Sequence, residues 1–193
     1  MTSASKLLIG GAATTGVIGV SSVAYTSPRE KPTTIRQALE KEGRTVLSSS
    51  DSRWEIKAHA YTSMVAKDPT LKIYRKDTVT AVELSRYCLE TLEGLNEKRK
   101  YKKAKELCLA PTVKDKLSKE GKSISSDLSS KLSSYKSHST NDDKTIPPEQ
   151  IGNKTNGNVT DEEFKKWCNT YSEVELTEGT DKNYERIVHW CTN

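Results

Sequence analysis

Four cysteines, Cys88, Cys108, Cys168 and Cys191, are the residues best placed to do chemistry in this sequence, and their surroundings recur. Arg86-Tyr87-Cys88 is followed by Tyr101, Leu107-Cys108 and Pro111. Lys166-Trp167-Cys168 is followed by Tyr184 and Trp190-Cys191. Such thiols can pair as disulfides, ligate zinc as thiolates, or stay reduced as small buried hydrophobes. Zinc is the weakest of these, because no CxxC spacing occurs and His59, His138 and His189 are scattered. No metal and no cofactor are expected.

Four cysteines allow three pairings. The midpoint between Cys88 and Cys108 is residue 98, just past the turn signal Gly94-Leu-Asn96, and the midpoint between Cys168 and Cys191 falls between Gly179 and Thr180. In an antiparallel helical hairpin, residues equidistant from the turn face each other. The expected bonds are therefore Cys88 with Cys108 and Cys168 with Cys191. Each would stabilise by roughly 3 kcal/mol on the chain-entropy account. Reduced thiols are the alternative, and an oxidising compartment decides against them.

The other concentration of chemistry is basic. Lys98, Arg99, Lys100, Lys102, Lys103 and Lys105 lie in one run, which could bind an anionic lipid, an acidic glycan or nucleic acid. A solvated helix face explains the run more simply, since Glu97 and Glu106 flank it and the matching stretch Asp181 to Arg186 is not basic. Trp54, Trp167 and Trp190 are expected in the core rather than on a binding patch. No Ser, His and Asp grouping and no phosphate-binding glycine loop is evident, and the carboxylates alternate with lysines as on helix faces. No catalytic residue is expected, and the chain reads as a non-enzyme.

The elements that hold these residues are read from a duplication. Thr34 to Val46 aligns without a gap on Thr112 to Ile124, an offset of 78 residues (34 to 112), and Arg53-Trp54 aligns on Lys131-Leu132 at the same offset. It becomes 80 at the first cysteines (88 to 168) and 83 at the second (108 to 191). A period of about 80 residues marks a degenerate tandem repeat. Within it, Thr34 or Thr112 caps a short helix that Gly43 or Gly121 ends. Trp54, Ala58, Tyr61 and Val65 mark one face of a second helix, which Asp68-Pro69 stops. Thr80 with Glu83 and Thr160 with Glu163 are capping boxes that open a third helix. Tyr101, Ala104 and Leu107, or Tyr184, Ile187 and Val188, define a fourth.

The fold class is all-α: two tandem small helical bundles after an N-terminal hydrophobic helix. The expected division is 1–32 as anchor or signal segment plus linker, 33–111 as repeat one and 112–193 as repeat two. A disordered Ser/Asn-rich loop is expected near 137–159, and the second helix of repeat two should be weak. With 33% hydrophobic and 30% charged residues in 193, the chain lacks the apolar surface for one generous core. Its net charge of +5, from 31 basic and 26 acidic side chains, concerns solubility before partners.

Leu7 to Ala24 carries no charge over eighteen residues, near the lower limit for spanning a bilayer. It reads first as an uncleaved signal-anchor. A cleaved signal peptide competes, given Lys6 before the segment and Ser22-Val23-Ala24 at its end, and a soluble helix or leader is the third reading. Lys6 nearly balances Arg29 and Lys31, so orientation stays open.

The ordered set of a small-residue apolar segment, a Leu-x-Lys-Glu-Gly-like helix, a Trp-containing helix, Cys88, Tyr101, Cys108, Pro111 and a closing Trp190-Cys191 resembles large paralogous families of membrane or surface proteins in haemotropic mycoplasmas. The sparse motif spans the whole chain. In those families a Trp-Cys pair precedes the proline, where this chain has Leu107-Cys108. The resemblance implies membrane or surface location, a part in host contact or immune evasion, and no catalytic residue to carry over. The functional expectation is a membrane-anchored surface module with its C-terminal region extracellular, meeting a host cell-surface or protein partner and no nucleic acid. The alternatives are a secreted domain for an anionic cell-surface partner, using the basic run, and a small hydrolase whose motifs have drifted.

Overall fold

Local sequence signals set most of the helix boundaries. In the computed structural model, which describes residues 33–139, 142–176 and 182–193, the Thr34 hydroxyl accepts from the Gln37 backbone while the Gln37 side chain accepts from the Thr34 backbone, opening α1 (Ile35–Lys41). Ile35 and Leu39 point inward, and Gly43, at φ +71°, ends the helix with Arg44 N–H donating back to the Leu39 carbonyl. The same devices build α5 (Val113–Lys119): Thr112 with Asp115, buried Val113 and Leu117, Gly121 at φ +71°, and Lys122 N–H on the Leu117 carbonyl.

α2 (Trp54–Lys67) buries Trp54, Ala58, Tyr61 and Val65 along one stripe. Asp68 stops it by accepting from the Thr70 backbone, and Pro69 begins the 3₁₀ turn Pro69–Leu71. α3 (Ala81–Leu92) and α4 (Lys98–Leu107) form one hairpin; α7 (Asp161–Ser172) and α8 (Lys182–Cys191) form the other. Both predicted capping boxes are made, Thr80 with Glu83 and Thr160 with Glu163. α6 (Ser129–Lys136) lies between α5 and the second hairpin. Among the described residues there are eight α-helices and no strand, only four isolated bridges. These bridges occupy corresponding places: Thr34 with Leu95 and Val46 with Leu109, then Thr112 with Glu175 and Ile124 with Thr192.

Two hydrophobic cores result. The first gathers Ile35, Leu39, Tyr61, Leu84, Leu92 and Leu107; the second gathers Leu117, Tyr135, Phe164, Trp167, Ile187 and Trp190. They belong to one compact unit, 32–193, because α2 packs on α5 and lends Ile56 to the second core. The seam between them is polar. Arg44 donates to Glu175 at 2.7 Å, the Thr45 backbone donates to its other oxygen at 3.0 Å, and Arg53 donates to the Leu176 carbonyl at 2.5 Å.

Two sequence expectations need correction. The stretch near 137–159 is not a disordered loop where it is described: it carries the 3₁₀ turns Pro148–Gln150 and Asn156–Asn158, and it buries Ile146, Ile151 and Val159 in the second core. Three widely spaced apolar residues inside a polar sequence give no periodic signal, yet each plugs a gap in the packing. The register of α6 also differs. Leu128, Leu132 and Tyr135 take the places of Trp54, Ala58 and Tyr61, an offset of 74 (61 to 135), because the loop before the helix is four residues shorter. The helix itself has 8 residues against 14 in α2. The membrane reading of 1–32 lies outside the described residues. Among those described, no helix is long and apolar enough to cross a membrane.

Candidate functional site

The hairpins bring the cysteines together as spacing predicts. Cys88, on the third turn of α3, meets Cys108 at the end of α4 with Cα atoms 5.3 Å apart; Cys168 meets Cys191 at 5.7 Å. All four are fully buried and none is free. A sulfur with no access to solvent cannot meet an oxidant or a substrate, so these pairs act as cross-braces between arms. Trp167 and Trp190 are buried in the second core, and Trp54 in the first. Among the described residues no cluster of His, Cys, Asp or Glu could hold a metal ion.

The basic run divides along α4. Lys100 pairs with Glu97 at 2.9 Å, and Lys105 with Glu42 at 2.8 Å. Lys103 turns inward, donates to the Lys72 carbonyl at 2.6 Å and stands 5.6 Å from the Tyr87 ring centroid; burial pushes its ammonium pKa down. Lys98 and Arg99 are exposed with no partner among the described residues, and Lys102 is exposed near Asp68. The first turn of α4 holds no acid and no side-chain cap, so its cations face the positive end of the helix dipole.

Sequence reasoning missed a contact that both halves make. The carboxylate that ends α1, Glu42, accepts from the Tyr101 hydroxyl and from Lys105, which hold its pKa below the carboxylate range, with Lys105 the larger cause. Glu120 does the same for Tyr184 and Lys122. Burial and the Glu120 hydrogen bond raise the Tyr184 phenol. The signal was present as Lys-Glu-Gly at 41–43 and at 119–121, with Tyr101 in α4 and Tyr184 in α8.

A strained turn was missed as well. Ile73 to Lys76 closes with Lys76 N–H on the Ile73 carbonyl at 2.9 Å, and its two central residues have positive φ, Tyr74 at 50° and Arg75 at 58°. That is the signature of a type I′ turn, which favours Asn and Gly. No such residue marks Lys72-Ile-Tyr-Arg-Lys76, so the sequence is silent here. The Tyr61 hydroxyl secures the turn, accepting from Ile73 N–H at 2.8 Å and donating to the Lys76 carbonyl at 2.9 Å.

Open depressions mark the surface. One, of about 610 Å³, runs between the Ser49–Ser52 loop and α3 over Trp54, Val82 and Leu89; another, of about 470 Å³, is rimmed by Lys122, Lys131, Lys144 and His189 with Glu120 and Glu185. No protein-family model, curated protein or solved structure matches the chain.

Proposed function

We propose that this protein is a non-catalytic helical module, tethered to a membrane through residues 1–32 and displayed on the outer side, where it contacts a host cell surface or protein. The observation that carries this reading is the pairing of all four cysteines inside two hairpins. Disulfides persist in oxidising compartments, and small polar cores such as these need staples. The chain is read as a tandem repeat whose halves each hold one brace, and the resemblance to surface proteins of haemotropic mycoplasmas agrees with it. Peptide mapping without reductant, on protein taken from its native cells, is expected to recover 88 linked to 108 and 168 linked to 191. Surface proteolysis of intact cells is expected to cleave it. Recovery of four free thiols, or full protection from protease, would sink the proposal.

A second reading, a secreted domain for an anionic partner, is favoured by Lys98 and Arg99 at the start of α4, exposed and without a partner among the described residues. Reversal of Lys98 and Arg99 to glutamate would then abolish retention on an anionic surface.

A further inference from the structure

We infer that the turn at Tyr74 and Arg75, together with Tyr87 and Lys103, is a binding surface for an acidic polysaccharide, a sulfated or carboxylated sugar chain. This rests on the second reading, that the basic face meets an anionic partner, and moves its centre from the start of α4 to the turn.

The turn holds two bulky residues in a backbone region that Asn and Gly occupy more readily, and the buried Tyr61 hydroxyl keeps them there. The second half makes the same kind of turn with favoured residues: Gly152 at φ +73° and Asn153 at φ +56° stand between buried Ile151 and Lys154, which pairs with Glu163 as Lys76 pairs with Glu83. The two central places are filled there without an aromatic or a cation.

What the strained turn gains is display. Tyr74 is 51% exposed and meets Tyr87 edge-on, with ring centroids 6.1 Å apart. Arg75 is exposed and has no partner among the described residues. Lys103 adds an ammonium 5.6 Å from the Tyr87 ring. Lys72 and Lys76 are engaged by Asp77 and Glu83, and Lys103 donates to the Lys72 carbonyl, so Arg75 is the cation of the turn left to meet an anion. An exposed tyrosine ring packs against the C–H face of a sugar, and a guanidinium fork suits the paired oxygens of a sulfate or carboxylate. Nucleic acid offers rings and phosphates too, but paired cysteines belong to compartments where polysaccharides, not nucleic acids, are the abundant polyanions.

The test uses the full chain in detergent, with both cysteine pairs intact, on immobilised heparin and on neutral dextran. The wild type is expected to be retained on heparin alone. Replacing the turn by its favoured residues, Tyr74→Asn with Arg75→Gly, is expected to raise the melting temperature by about 2 °C or more while weakening heparin binding about tenfold or more. The single variants Tyr74→Ala and Arg75→Gln guard against misfolding of the double variant, and each is expected to weaken binding. Unchanged binding by all three variants overturns the inference. So does equal retention on dextran, or retention by phosphatidylserine vesicles and not by heparin. If Lys98→Glu with Arg99→Glu abolishes retention while the turn variants bind normally, the second reading stands and the turn is excluded.

Discussion

A lysine ammonium shut away from water carries a desolvation cost. Lys57 lies in the seam, 5% exposed, on the side of α2 that meets α5, with Asp115, Glu106 and Glu175 in its field and Arg44 opposing them. Burial is the main cause that lowers its pKa from 10.5, and the three carboxylates only partly offset it. The folded state therefore releases this proton before the unfolded chain does. Between the lowered value and 10.5 the unfolded state binds more protons, so stability rises with pH through that window. Denaturation of the wild type and of Lys57→Met at a series of pH values is expected to show the rise in the wild type and a flatter dependence in the variant. The variant should be no less stable at neutral pH, since a methionine of similar length carries no desolvation cost. A loss of about 3 kcal/mol or more at neutral pH would mean that the lysine is needed by its carboxylates.

The helices owe their starts to side chains three residues apart. Thr80→Ala removes the acceptor for the Glu83 backbone and is expected to cost about 1 kcal/mol in a denaturant titration. Its counterpart has a pH signature. Lys154 first, and then the Thr160 backbone and hydroxyl, hold Glu163 at a pKa of about 2 against an ordinary 4.5. A depressed carboxylate stabilises fully above its unfolded value and loses that contribution as pH falls through the folded one. The melting difference between wild type and Glu163→Gln should therefore be present at pH 7 and shrink as pH approaches 2; a constant difference would locate its effect outside the carboxylate's charge. These boxes, the glycine caps at 43 and 121 and the pairing of Cys88 with Cys108 were legible because each is local in sequence or fixed by one turn. Ile146, Ile151 and Val159 were not, because their burial is decided by gaps between distant helices. Nor was the turn at Tyr74, whose conformation comes from the Tyr61 hydroxyl twelve residues away and not from its own residue types. Sequence identity in the two Lys-Glu-Gly motifs was visible, but the tyrosines that reach them lie about sixty residues downstream.

At the scale of the whole molecule, two small cores stand because each is braced and each leans on the other. Replacing Cys88 and Cys108 by alanine is expected to cost about 2–5 kcal/mol in reversible denaturation, the range for removing one brace from a small domain. Glu175→Ala takes away the acceptor shared by Arg44 and the Thr45 backbone, and a loss of about 2 kcal/mol is expected. If the two cores then melt in separate steps by tryptophan fluorescence, the seam is what makes their unfolding one event. The seam also joins unlike surfaces: one half offers Arg44, Thr45 and α2, and the other receives them with Glu175 and α5. A contact between unlike faces can in principle add a third member and then a fourth, which is how fibres grow. Here the outer ends do not match, because exposed Leu95 stands where Glu175 would be needed and Lys122, in the place of Arg44, is spent on Glu120. The contact between the two halves is thus not offered again at the outer ends, where these two residues differ.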